Sequence, residues 1–437
     1  MVAVWMAAPA VRAQLGGSGG FGGPSVMGRG QQAGSRGGQS VRLRGFASAN
    51  GIYDSGLSTI NQDGVSKSSV GAGAEVLWGG YGSYNQRRSA FGLDYKGDYR
   101  QYTNVGAFNG LNQSLTLTYS NQPHKRLSYD LSALAGTTNR AYGAGAGIAD
   151  LGTAVSAVTI PTTSLFDLRT NFLGGSGQLT FIHSSRLSTS VSGSGFTVRR
   201  RNRLPGVDGV IGRADVAYRL GRRQTIGMDI SYYKFDYTNA FGDVNVIDPG
   251  VLFSRQFGKR WEFGARVGVM RIESFGTRQV DFTPEIAALL GVGQTSEIFY
   301  RRTYIPSGSL RLMRTFKRGS VAANYRNMPS PGNGVLYASR ASSFDLGATW
   351  DPSRKLSLFA NGASSRLTSV TSLQGSYSQY TYGGGLSYRL SRSLHMTLRT
   401  DRRVGHLNAG AGVLSLGGTR FSGGITYSPS DIPLQLW

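Results

Sequence analysis

The chain has 437 residues with no Cys, 64 Gly, 22 Tyr and 20 Phe, and its 47 Lys/Arg against 23 Asp/Glu give a net charge of +24. These totals exclude disulfide and Cys-metal frameworks, and no apolar run reaches the length of a transmembrane helix. They leave open a membrane β-strand, which is greasy only at alternate positions, and the surplus of positive charge admits anionic lipid, anionic solute or nucleic acid as partner.

Met1–Ala13 reads as a partial secretory signal peptide. A short apolar stretch ends in Val11-Arg12-Ala13, a small-x-small cleavage site, although a basic n-region is missing. Residues 14–40 hold 11 Gly and read as a disordered linker with nothing to bury. Alternation begins at residue 41. Its clearest expression is Ser89–Tyr102, where Phe91, Leu93, Tyr95 and Tyr99 share one face while Asp94, Lys96, Asp98 and Arg100 share the other. A strand with every charge on one parity has one wet and one greasy face. The same pattern recurs with Arg213, Asp215 and Arg219, then Asp229, then Glu262 and Arg266, and finally Arg399 and Asp401 on the polar face.

Nine aromatics punctuate these strands just ahead of short basic turns: Trp78, Tyr119, Phe181, Tyr218, Phe257, Phe316, Trp350, Tyr388 and Tyr427. Most successive pairs are about 38 residues apart, room for two strands, a turn and a loop. Aromatics at one end of every second strand suit a membrane interface. The count predicts 18 strands, with tight turns on one side and longer connections on the other, the longest near 137–172 and 274–303. Within the second, Thr283-Pro-Glu-Ile-Ala-Ala-Leu-Leu-Gly291 carries the start and stop signals of a two-turn helix. The expected fold is all-β: an antiparallel transmembrane barrel over residues 41–437, with short periplasmic turns and long extracellular loops. A β-propeller is the rival, but its blades need four short strands each and lack a strict charged face.

The segments Gly51-Ile-Tyr-Asp-Ser55, Leu111–Ser120 and Gly174–His183 resemble those of poorly characterised bacterial outer-membrane β-barrel proteins, some of which accompany exopolysaccharide or exosortase gene clusters. The resemblance implies a Gram-negative outer membrane, lipopolysaccharide and the barrel-assembly machinery as partners, and a possible tie to polysaccharide export. It implies no catalytic residues. Either Tyr427 or Trp437 could serve as the terminal aromatic that assembly prefers.

The candidate chemistry is sparse. His124, His183, His395 and His406 show no ligand spacing, so no metal or other cofactor is expected. His395 and Asp401 share a face with Arg399, which admits a hydrolytic pair, but paired charges on a wet wall explain them more simply. The runs Gly143–Gly147 and Gly383–Gly385 lack the Gly-Lys-Ser/Thr of a phosphate loop. The pore-lining candidates are therefore Asp94, Lys96, Asp98, Arg100, Arg213, Asp215, Arg219, Asp229, Glu262, Arg266, Arg399 and Asp401. Arg199, Arg200, Arg201, Arg203, Arg301, Arg302, Arg402 and Arg403 are expected on the long-loop side as contacts for anionic lipid or polysaccharide. The cations form no single groove and no stacking platform, which argues against nucleic acid. The expected function is a porin-like channel for small or anionic solutes or saccharide, not an enzyme. The alternative is a non-conducting scaffold or polysaccharide-binding barrel.

Overall fold

The computed structural model describes residues 40–60, 66–86, 88–138, 169–200, 205–238, 242–258, 260–281, 294–332, 339–370, 375–409 and 412–428. They form eighteen strands: β1 (Ser40–Ile60), β2 (Ser66–Asn85), β3 (Ser89–Tyr102), β4 (Gly110–His124), β5 (Leu127–Thr138), β6 (Thr170–Ile182), β7 (Leu187–Arg200), β8 (Gly206–Gly221), β9 (Gln224–Thr238), β10 (Gly242–Phe257), β11 (Trp261–Asp281), β12 (Gln294–Phe316), β13 (Gly319–Ser330), β14 (Ser339–Trp350), β15 (Leu356–Ser369), β16 (Gly375–Arg389), β17 (Leu394–Ala409) and β18 (Gly412–Tyr427). Each strand pairs antiparallel with its neighbour in sequence, and β1 pairs with β18 from Ala47–Tyr427 to Asp54–Arg420. The sheet therefore closes on itself. Closure pairs the two edge strands along Ala47–Asp54, where an open edge surrounded by hydrocarbon would leave backbone donors and acceptors unpaired.

Alternation decides which side chain points where. On β9, Ile226, Met228, Ile230 and Tyr232 are exposed on the outside, while Asp229, Ser231, Tyr233 and Phe235 are buried on the inside. The outward row is apolar on nearly every strand, with Val267 and Met228 exposed at 71% and 69%. Such a surface is unfavourable in water and favourable in lipid.

The tight turns reveal why serine recurs in them. Ser184 Oγ accepts hydrogen bonds from the backbone N–H of Arg186 and Leu187 at 3.2 and 3.0 Å. Ser353 does the same for Lys355 and Leu356, and Ser391 for Ser393 and Leu394. One hydroxyl thus satisfies donors that a reversing chain cannot place in the ladder. Gly258, at φ +68°, takes the left-handed position in the β10–β11 turn, where a Cβ would be strained.

Two expectations change in detail. Trp78 lies within β2 rather than at its end; the hairpin turns beyond Asn85, and Tyr84 is the aromatic near the turn. The run Gly79-Gly-Tyr-Gly-Ser-Tyr looks like a turn in sequence, yet each residue is paired with β1 and β3. The second long connection is also shorter than expected. β11 continues to Asp281 and β12 begins at Gln294, so residues 274–281 and 294–303 are strand. The helix expected at 283–291, the signal and linker segments up to residue 39, and Trp437 lie outside the described residues.

Candidate functional site: charged clusters inside the barrel

All twelve residues expected to line the lumen face the barrel interior, by alternation with exposed apolar neighbours. The topology gathers seven of them, with partners the sequence did not single out, into two clusters and a pair on the inner wall.

The first cluster spans β8 to β12. Asp229 has no exposed side-chain surface and accepts from Arg266 Nε at 2.9 Å, with Arg213 Nη2 at 3.4 Å on its other side. Arg266 Nη1 meets Asp248 Oδ2 at 2.9 Å, and Ser307 Oγ donates to Asp248 Oδ1 at 2.5 Å. The local backbone is shaped for this guanidinium. Pro249 has no N–H to give, and the β10–β11 ladder skips Asp248 and Pro249. Arg266 Nη2 takes up the orphaned carbonyl, donating to Asp248 O at 3.0 Å. Gly250 leaves the space: a Cβ there would sit 2.8 Å from the Arg266 Cζ. The Asp248-Pro249-Gly250 run, a turn signal in sequence, is here a cradle inside a strand.

The second cluster joins β2, β3, β4 and β18. Arg100 Nε contacts Glu75 Oε1 at 2.5 Å and Asp98 Oδ2 at 3.1 Å. Arg420 Nη2 reaches the same Glu75 oxygen at 2.7 Å, and Asn112 Nδ2 donates to Asp98 Oδ2 at 2.7 Å. Glu75, Arg100 and Arg420 are each buried. Centred on β2–β3 and on β9–β11, the two clusters lie about half the circumference apart. In both clusters every charged side chain has a partner, the condition for burying an ion at all.

The remaining interior charges are local. Arg399 donates to both oxygens of Asp401 at 2.5 and 2.8 Å. Asp401 is therefore held by arginine, and His395 forms no pair with it despite sharing its face. Lys96 contacts Asp94 at 3.2 Å, Asp215 accepts from Ser190 at 2.6 Å, and Glu262 accepts from Gln256 at 3.4 Å. Arg219 faces inward near the turn end of β8. Among the described residues no group of three His, Asp or Glu could hold a metal ion.

Above the first cluster, toward the long-loop rim, the inner wall turns apolar. Phe196, Val198, Val207, Phe235, Val246 and Met270 pack together, and Val370, beyond the end of β15, joins them. Arg301 Nη1 also reaches Val370 O at 3.5 Å. These contacts link β12 to β15 across the inside, bypassing β13 and β14, and narrow that end.

Phe181, Tyr218, Phe257, Phe316, Trp350, Tyr388 and Tyr427 are exposed at the tight-turn ends of their strands. Tyr119 lies on the same strand side, its ring 5.9 Å from that of Tyr129. Arg314 lies over both Trp261 and Phe316, at 4.8 and 4.7 Å from their ring centres, and Arg255 over Phe257 at 4.6 Å. Cations stacked on aromatics at one level are suited to an interface of headgroups.

The arginine pairs expected together on long loops are divided. Arg301 and Arg302 lie within β12, and Arg402 and Arg403 within β17, so alternation sends each pair to opposite faces. Arg302 points outward and contacts Glu273 at 2.8 Å, and Arg403 is buried inside while Arg402 is exposed outside. Arg199 ends β7 facing outward and binds Asp208 at 2.8 Å. Arg200 donates to Pro205 O at 2.7 Å. Arg201 and Arg203 lie outside the described residues. Glu75, Asp248, Ser307 and Arg420 were missed as cluster members. Glu75 and Arg420 sit in stretches with too few charges to show parity, and Asp248 is masked by Pro-Gly.

No protein-family model matches the chain, and no curated protein matches it. Solved structures similar to it include Pseudomonas aeruginosa OccK2 (OpdF) in complex with glucuronate, at 12% identity and TM-score 0.41 over 89% of this chain and 98% of that one. A BenF-like porin from Pseudomonas fluorescens gives 10% and 0.39 over 88% and 98%. The FrpB iron transporter from Neisseria meningitidis gives 8% and 0.42 over 89% and 81%.

Proposed function

We propose that this chain is an outer-membrane channel that passes small charged or sugar-like solutes. The observation that carries the reading is the pair of buried Arg–carboxylate clusters on opposite inner walls of a closed eighteen-stranded barrel with an apolar exterior. A barrel of that size has room for an aqueous interior. Fixed charges facing each other across water orient a dipolar or ionic solute and strip its hydration stepwise. The aromatic and basic tight-turn rim would face the periplasm and the long-loop rim the exterior, and residues up to 39 would form the signal and linker ahead of the barrel.

Planar-bilayer recording of the purified protein tests this. The expected result is a stable conductance whose anion preference falls when Arg213→Glu adds a negative charge beside Asp229. A protein that inserts and never conducts would sink the proposal. The apolar cluster that holds Phe196, Met270 and Val370 favours a second reading in which the barrel is shut and serves as an envelope scaffold or polysaccharide-binding surface; silent bilayers would favour that one.

A further inference from the structure

The outer wall carries a hollow where the barrel closes. It lies on β16, β17, β18, β1 and β2, has a volume of about 730 Å³, and is lined by Tyr53, Gly384, Leu386, Leu398, Phe421 and Gly423 among others. On β16, β17, β18 and β1 the lining residues are outward ones with a single inward residue between them, which puts the hollow on the exterior. Glycine makes the depth. Gly51, Gly384 and Gly423 have no side chain, while Leu386, Leu398, Tyr53 and Phe421 stand as walls.

A second hollow of about 660 Å³ continues from it, sharing Tyr53, Gly384, Thr400 and Phe421, and ends at Arg402, Tyr382 and Thr419. Arg402 sits eight residues above Leu394, the residue of β17 that faces Tyr427 at the aromatic rim. At about 3.4 Å per residue and a tilt of about 40°, that places it about 20 Å above the rim. This height is close to the far border of the apolar band. The charge around it is one-sided. The acids of β13–β18 and β1–β3 in the described residues, Asp54, Glu75, Asp94, Asp98, Asp345 and Asp401, all lie on inward positions. Arg402 and Arg366 are outward, and among the described residues no outward carboxylate neutralises them there.

We infer that this hollow is a binding site for a membrane lipid that carries a phosphate monoester, with an acyl chain in the glycine-floored groove and its phosphate at Arg402. An apolar slot capped by a cation at headgroup height matches both ends of such a molecule. The two ends are also unequal partners: burial of the chain supplies adhesion and the guanidinium supplies choice. The inference rests on the outer-membrane placement proposed above and is independent of whether the barrel conducts.

Native mass spectrometry of the detergent-solubilised protein titrated with bisphosphorylated lipid A tests it, with dephosphorylated lipid A and phosphatidylethanolamine as comparisons. The wild type should bind one bisphosphorylated lipid saturably and more tightly than either comparison. Arg402→Gln should weaken that lipid about tenfold, the loss of one charge-assisted contact, and leave the dephosphorylated lipid unchanged. Gly51→Leu should weaken both lipids. A Cβ at Gly51 meets only Gly423 O, at 3.9 Å, so this variant fills the groove without disturbing the wall. Arg314→Gln, in the aromatic rim, should change nothing. Heat-modifiable migration checks that each variant is folded. Equal binding by Arg402→Gln and wild type, or equal binding of phosphatidylethanolamine, would overturn the inference. So would a dimer mass that Gly51→Leu abolishes, since the occupant would then be a second copy of the chain. Silent bilayers with intact lipid selectivity would refute the channel and leave this site standing.

Discussion

The wall from β7 to β12 and the wall from β15 through the closure to β3 solve the same internal problem and diverge outside. Inside, each buries arginine against carboxylates: Arg266 with Asp229 and Asp248, Arg100 and Arg420 with Glu75. Outside, the first wall pairs its upper charges. Arg199 meets Asp208, Lys234 meets Asp236, and Glu273 sits between Arg271 and Arg302. The second wall has, among the described residues of its strands, no outward acid for Arg366 and Arg402, and carries a groove instead. The interior is constrained by the cost of burying unpaired charge, which both walls meet in one way. The exterior is constrained only by the height at which charge becomes tolerable, so it is free to differ.

The largest effect should come from breaking an internal cluster. Arg266→Ala leaves Asp229 and Asp248 buried together without their shared cation, and should cost about 3–5 kcal/mol in urea unfolding of the vesicle-inserted barrel. A loss under about 1 kcal/mol would mean that water reaches the site and that the two faces are not so differently constrained. Next in size is a charge placed in the apolar band. Val267→Arg should cost about 2–4 kcal/mol, whereas Phe275→Arg, above the Glu273 belt on the same strand and face, should cost about 0–1 kcal/mol. Equal costs would remove the membrane border drawn at that belt. Smaller again is the loss of a turn hydroxyl. Ser391→Ala strips the acceptor from two backbone donors, and about 1 kcal/mol is expected because water can replace it at the exposed turn. The smallest effect should be Glu273→Gln on the outside, below about 1 kcal/mol and shrinking further as salt is raised. A large, salt-insensitive loss would show that the outer pairs are as structural as the inner ones.

Most of the wall was legible because charge and greasiness fall on opposite parities over long stretches. Ser89–Tyr102 displays this so fully that its inward face could be read residue by residue. The reading failed where residues carry no parity. Gly79 to Ser83 offers only one large side chain, Tyr81, so Trp78 passed for a strand end. Asp248-Pro249-Gly250 has the composition of a turn, and only the partner strands reveal that the missing N–H is compensated by Arg266. Arg301–Arg302 and Arg402–Arg403 looked like loop charge because adjacent arginines resemble a patch. In a strand, adjacency guarantees separation onto opposite faces.

The closure itself has a consequence for how the molecule comes together. β1 and β18 lie at opposite ends of the described chain and meet only from Ala47 to Asp54, whereas β1 pairs with β2 from Ser40 to Ile60. Every other strand pairing joins neighbours in sequence; this one must wait until the whole length has been made and bent round. Its middle is thin in side chains, since Gly51 faces Gly423 and Asn50 faces Gly424, while Tyr53 and Phe421 meet beside it with ring centres 6.4 Å apart. Ser48 and Thr426, joined by a 2.9 Å hydrogen bond on the inside, and Ser55 with Thr419 supply polar stitches instead. The last join to form is thus a short one, eight residue pairs long, and a line along which the cylinder would be expected to unzip.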